Sequence, residues 1–261
     1  MSKNRRHLFS PDTQVKPGVP TDHLAALGKY IARKQPEVIV HAGDHFDMPS
    51  LSSYDRGTKK AEGARYKDDI DAGIAGMDVL FKPIRALQRR QEKAGKPVYK
   101  PELHFTLGNH EERIMRHVNY NPELEGQLSY KDLQLESYGW KVHDFLKPVR
   151  IDGVSYIHYV PNPMTGKPIG GMAATRIKTV GYSFCMGHQQ TYDIAVRHLG
   201  NGQVIRALIA GAFYMHDEEY KGPTGNEHWR GCVMLNGVKD GDYSLMELDM
   251  NYLLEKYGVS K

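Results

Sequence analysis

The sequence predicts an α/β fold on three observations. Helical and strand patterns alternate through the first half of the chain. The apolar strands there break at once into polar turns, and the second half is punctuated by hairpin dipeptides between Val-, Ile- and Tyr-rich runs. No internal repeat and no linker-like tract interrupts the 261 residues, so a single domain spanning 1–261 is expected, with layers of sheet packed inside helices.

The elements follow in order. Thr21 to Gln35 carries Leu24, Leu27 and Ile31 at helical spacing, with Thr21 or Asp22 as cap, and Pro36 stops it. Val38-Ile39-Val40 reads as a buried strand running into His41-Ala42-Gly43-Asp44. Residues 66 to 94 return to the helical period through Ile70, Ile74, Met77, Phe81, Ile84 and Leu87, with a kink expected at Pro83. A strand over Leu103–Leu107 breaks into Gly108-Asn109-His110-Glu111. Val149–Ile151 and Val154–Tyr159 flank Asp152-Gly153, a type I′ hairpin signal. Tyr182–Met186 is a strand ending in Gly187-His188-Gln189-Gln190, and further hairpins are signalled at Asn201-Gly202 and Asp240-Gly241. Two segments look inserted: polar 50–69, with Tyr54, Arg56, Lys59, Lys60, Arg65, Tyr66 and Lys67, and the Gly- and Pro-rich 161–172.

Composition narrows the function. The mean hydropathy is −0.57, and no apolar run approaches the roughly 18 residues a membrane helix needs. The N-terminus lacks an apolar stretch of secretory length. Cys185 and Cys232 have no metal-ribbon or framework spacing, which excludes a disulfide scaffold. A soluble, cytoplasmic protein is expected. The net charge of +4 is a weak pointer to nucleic acid, although Lys82 to Lys100 holds seven basic residues against one acid, Glu92.

The informative regularity is positional. Asp44, Asn109 and His188 each follow a strand, His158 lies near the end of another, and Asp12 follows the short apolar start His7-Leu8-Phe9. In open α/β sheets the carboxyl ends of strands form the ligand crevice. Five segments can therefore bring metal-ligating side chains to one edge.

Taken together, GDHFD (43–47), GNHE (108–111), the isolated His158 and GHQQ (187–190) resemble the calcineurin-like metallophosphoesterase superfamily in kind and order. The closing NEHWRG…VKDG is similar to small phage-encoded members. The resemblance implies a four-layer α/β/β/α sandwich of two mixed sheets flanked by helices. It implies a dinuclear centre: Asp44 bridging, Asn109, His158 and His188 on one ion, Asp12 on the other. His110 would contact phosphate and protonate the leaving group, oriented by Asp47, and Asn109 would touch substrate. Arg230, past the last motif, is a further candidate substrate contact that no family motif carries. The implied reaction is phosphate-ester hydrolysis by a hydroxide held between two divalent ions.

Two positions depart from that pattern. Gln14 and Gln190 stand where the family has histidines, both on the ion held by Asp12. Amide oxygens are harder donors than imidazole, so Mn²⁺ is favoured, ahead of Mg²⁺, Fe or Zn²⁺. The expected substrate is a phosphodiester, DNA or RNA, on the mild basicity, the basic segment 82–100 and what the resemblance implies. Met48-Pro49 follows GDHFD where protein phosphatases continue Arg-Gly, which lowers the protein-phosphatase reading. The alternatives are a phosphomonoesterase or nucleotide hydrolase, and a binding module that kept the fold and lost catalysis. His41 and Cys185 read as core, and His45 and the His216, His228, Trp229, Arg230 cluster as neighbours that can border the site.

Overall fold

The computed structural model describes residues 4–54, 57–59, 62–218 and 223–258. Arg56 and Lys60 of the first insert lie outside them.

β1 (Arg5–Ser10), α1 (Asp22–Lys34), β2 (Val38–His41), α2 (Tyr66–Lys93), β3 (Glu102–Thr106), α3 (Arg113–Tyr120) and β4 (Lys141–His143) make up the first half. β5 (Val149–Ile151), β6 (Val154–Ile157), α4 (Ala173–Val180), β7 (Phe184–Met186), β8 (Tyr192–His198) and β9 (Val204–Ala210) follow. β10 (Gly231–Lys239), β11 (Asp242–Asp249) and α5 (Met250–Tyr257) end the chain. One mixed sheet has the order β11-β10-β1-β2-β3-β4 and the other β5-β6-β7-β9-β8. The β1, β2, β3 and β4 run is parallel, so α1 and α2 are crossover helices antiparallel to the strands.

Period-2 alternation makes the layers. Leu8 and Ile39 face one side of the first sheet and pack with Leu24, Leu27 and Ile31 of α1, Met77 and Leu80 of α2, and Leu253 of α5. Phe9, Val38 and Val40 face the other way and meet Val154, Tyr156, Cys185 and Leu208 of the second sheet. That sheet's far side, through Ile157, Phe184, Met186 and Ile209, is covered by Ala173 and Ile177 of α4. The result is helices, sheet, sheet, helix, as expected.

Local signals placed α1, β2, α2 and β3 to within a residue or so, and α2 runs through Pro83. Thr21 occupies the cap of α1 without a side-chain bond. Asp152 (φ 48°) and Gly153 (φ 87°), like Asp240 (φ 50°) and Gly241 (φ 88°), are the two left-handed residues that a type I′ turn requires. Three differences have physical reasons. The strand expected from Tyr182 starts at Phe184, while Tyr182 is exposed. His7-Leu8-Phe9 belongs to a six-residue strand inside the first sheet, where β10 returns from the end of the chain to pair with it. α3, α4 and α5 have eight residues each, too few turns for a periodic signal.

Candidate metal centre

Because β2, β3, β6 and β7 all end on the same side, the turns that follow them meet above the gap between the two sheets. A carboxylate oxygen of Asp44, a ring nitrogen of His158 and a ring nitrogen of His188 lie within 4.8 Å of one another. Asn109 Oδ1 lies between the two rings, 2.9 Å from His158 Nε2 and 2.7 Å from His188 Nδ1. His158 Nε2 is also 3.4 Å from Asp44 Oδ2. Its Nδ1 donates to the Ala42 carbonyl at 2.7 Å, which fixes the ring with Nε2 turned toward the cluster. Four of the expected ligands are thus together.

The turns are held by residues whose importance lies off the ligand set. Glu111 is wholly buried and its carboxylate accepts the backbone N–H groups of Asp44, His45, Phe46 and Gly108 at 2.8–3.0 Å. It staples the turn that carries Asp44 to the turn that carries Asn109. A Cβ on Gly108 would sit 2.1 Å from Asp44 Oδ1, and one on Gly187 2.3 Å from Asp12 Oδ1, so both turns need glycine for close approach. Gln14 (φ 37°), Asp44 (φ 50°), His188 (φ 64°) and Gln190 (φ 59°) are left-handed, at about 1–2 kcal/mol each. Strain at four candidate ligands is what a preorganised site costs.

Asp12 and Gln14 complete a second group of donors. Asp12 Oδ1 accepts the His188 N–H at 2.9 Å, while its Oδ2 is buried without a hydrogen-bond partner among the described residues. Both amide atoms of Gln14 are likewise buried, and the described residues offer them no partner. Burial and the nearby Asp44 charge push the Asp12 carboxyl up to about 7. Gln190 is different, because its Oε1 accepts the Tyr214 hydroxyl at 2.9 Å. These unmatched oxygens beside Asp44 have the chemistry of a divalent-cation site.

His110 and Asp47 sit alongside. Asp47 Oδ1 lies 2.7 Å from His110 Nδ1, and His110 Nε2 lies 3.8 Å from Asp44 Oδ2. Burial lowers the imidazole's basicity, but the Asp44 charge and the Asp47 contact outweigh it and raise the His110 pKa. Burial acts upward on Asp47, yet the contacts with His110 and Lys16 hold it well below the usual carboxylate range. Arg113 lies 3.2 Å from His110 Nε2 and donates to the Asp47 and Met48 carbonyls.

Sequence reasoning missed the support behind this pair. Lys16 Nζ contacts Asp47 at 3.0 Å and Glu218 at 2.7 Å, and Glu218 accepts from His216 at 2.8 Å. Glu111 stood in a quoted motif and His216 among the candidate neighbours of the site, next but one to Glu218, whereas nothing local marked Lys16. Two candidate neighbours of the site are engaged within the fold. His45 is 0% exposed, lies 2.7 Å from Thr13 Oγ1 and donates from Nε2 to the Gly73 carbonyl. Arg230 is engaged with Asp217 at 2.8 Å and with the Tyr214 and Asn226 carbonyls, and it stacks on Tyr214. Arg230 thus packs on Tyr214, whose hydroxyl donates to Gln190 Oε1. His41 and Cys185 are core, as read.

No family model matches the chain. It is similar to Gene 54 protein of Mycobacterium phage L5, with 25% identity over 255 residues, covering 94% of this chain and 93% of that protein. None of the described helices is long and apolar enough to cross a membrane.

Proposed function

We propose that this chain is a phage-encoded, metal-dependent phosphoesterase that hydrolyses phosphodiesters of nucleic acid. One observation carries the reading: Asp44, Asn109, His158 and His188, from four different turns, converge beside an Asp47–His110 pair. A structural cluster of two histidines, an amide and a carboxylate has no use for a second, buried acid–base pair at its rim. The order of the motifs supports it further through their resemblance to the calcineurin-like metallophosphoesterases. Similarity to a phage gene product fits a phage origin.

Asp44, Asn109, His158 and His188 are the residues that would hold one divalent ion, and Asp12, Gln14 and Asp44 a second. Bound there, such ions polarise phosphoryl oxygens and lower the pKa of water. Gln190 belongs to the supporting layer in this reading, since Tyr214 already occupies its oxygen. Three of the donors at the second position are oxygens, which favours Mn²⁺ over Zn²⁺. The Asn109 amide and His110 neutralise charge gathering on phosphate. Asp47 keeps the His110 ring turned so that Nε2 faces the reacting side and can deliver a proton to the leaving oxygen.

The test is hydrolysis of bis-p-nitrophenyl phosphate and p-nitrophenyl phosphate by metal-stripped protein with Mn²⁺, Mg²⁺ or Zn²⁺ restored. Mn²⁺-dependent diester turnover, lost in Asn109→Ala and His110→Ala, is the expected result. Preference for the monoester would move the assignment to a phosphomonoesterase. Stoichiometric metal binding with no turnover would make the protein a metal-binding module.

A further inference from the structure

A groove of about 640 Å³ lies between α1 and α2, lined by Lys29, Arg33, Arg89, Arg90 and Lys93 over a floor of Ala32, Pro83 and Ala86. We infer that it is a binding site for the phosphodiester backbone of nucleic acid, separate from the metal centre.

The sequence builds the groove through small residues. A Cβ on Gly28 would meet the Leu80 carbonyl at 2.2 Å and Pro83 Cδ at 3.2 Å, so the two helices touch backbone to backbone there. Ala32 and Ala86 prolong the shallow floor toward the helix C-termini, where the long basic side chains form the walls. Since both helices run antiparallel to the strands, the groove lies toward the end of the molecule opposite the turns that carry Asp44 and Asn109.

The charge is concentrated. Among the described residues, five cations line the groove and no acid does, which exceeds the whole chain's net charge of +4. The helix dipole accounts for Arg33, Arg90 and Lys93 in the last turns, and Arg33 also lies over the Tyr257 ring. Lys29 Nζ donates to the Gly258 carbonyl at 2.9 Å, which leaves Arg89 accounted for by neither kind of contact. Lys29 and Arg33 on one wall, and Arg89 and Lys93 on the other, are each four residues apart, about 6 Å along a helix. Two rows of cations at that interval suit a linear polyanion better than a single phosphate. The lining contains no aromatic ring, so the contact is to backbone, with no base stacking and no sequence preference.

The test is fluorescence anisotropy of labelled single-stranded and duplex 20-mers with full-length protein in EDTA, which silences hydrolysis and keeps this inference independent of the proposed activity. At 50 mM salt the protein should bind, weakening as salt rises. The exposed triple variant Arg33→Gln/Arg89→Gln/Arg90→Gln should lose at least tenfold in affinity, and its duplex salt slope should fall by about 2–3, near 0.9 per lost phosphate contact. Lys141→Gln/Lys167→Gln/Lys178→Gln removes the same charge elsewhere and should bind nearly as the parent does. Circular dichroism confirms that each variant folds. Absence of binding to either probe overturns the inference, as does equal weakening by the two triple variants. Displacement by polyglutamate as readily as by unlabelled duplex also overturns it and points to an acidic protein partner.

Discussion

Lys16 Nζ lies 3.0 Å from Asp47 Oδ2, while the other oxygen of that carboxylate lies 2.7 Å from His110 Nδ1. One side chain thus has its two oxygens pinned from opposite sides, and the imidazole inherits that orientation. Lys16 is a positioning residue for His110. Lys16→Met should lower kcat on the diester about tenfold with KM little changed, part of the 10²–10⁴ that a general acid supplies. Without the cation the Asp47 pKa rises, so the acidic limb of the kcat–pH profile should move to higher pH. A merely structural Lys16 would lower stability and leave that limb in place.

Glu111 accepts four buried backbone N–H groups. Glu111→Gln would turn an NH₂ group against two of those donors, and each unpaired buried donor costs about 1–3 kcal/mol. Calorimetry should show a loss of about 3–4 kcal/mol, near 10 °C in Tm for a chain of this size. Mn²⁺ binding should weaken with it, because the turn that carries Asp44 is released. An unchanged Tm would mean that Glu111 is not the staple of this edge.

His23 is 1% exposed, packs edge-on against Phe213 and has no hydrogen-bond partner for either ring nitrogen among the described residues. Burial lowers its pKa to about 3. The folded state therefore binds fewer protons than the unfolded one between about pH 3 and 6.5, and stability present above 6.5 is lost as pH falls. His23→Leu should stabilise the protein by about 1–2 kcal/mol at pH 7, by removing unpaired polar atoms. At pH 5 the gain should grow by about 2 kcal/mol, from about 1.4 kcal/mol per pH unit. Urea melts at the two pH values measure this, and a pH-independent difference would show that the ring protonates in the fold.

Gln14 holds a left-handed backbone (φ 37°), a conformation that histidine adopts more readily than most residues. Gln14→His should then be accommodated, and it replaces an amide oxygen with an imidazole nitrogen. Calorimetric titration should show the Zn²⁺-to-Mn²⁺ affinity ratio rising at least tenfold. An unchanged ratio would place residue 14 outside the metal's reach.

What the sequence determined by itself is what short-range chemistry determines. The 3.6 and 2.0 periods set α1, α2, β2 and β3; Asp152-Gly153 and Asp240-Gly241 set their turns; and strand-end Asp44, Asn109 and His188 announced one shared edge. Those signals are local because backbone geometry is local. Only the tertiary structure decided which distant side chains stand behind that edge. Glu218 reaches Lys16 across 202 residues and Tyr214 reaches Gln190 from another segment, and both pairings follow from how the two sheets stack. The basic groove has the same origin: α2 alone reads as a solvated charged face, and only its packing on α1 at Gly28 brings Lys29 and Arg33 opposite Arg89, Arg90 and Lys93. Side-chain partners are chosen by helix and sheet packing, summed over the whole core, and no window of sequence contains that sum.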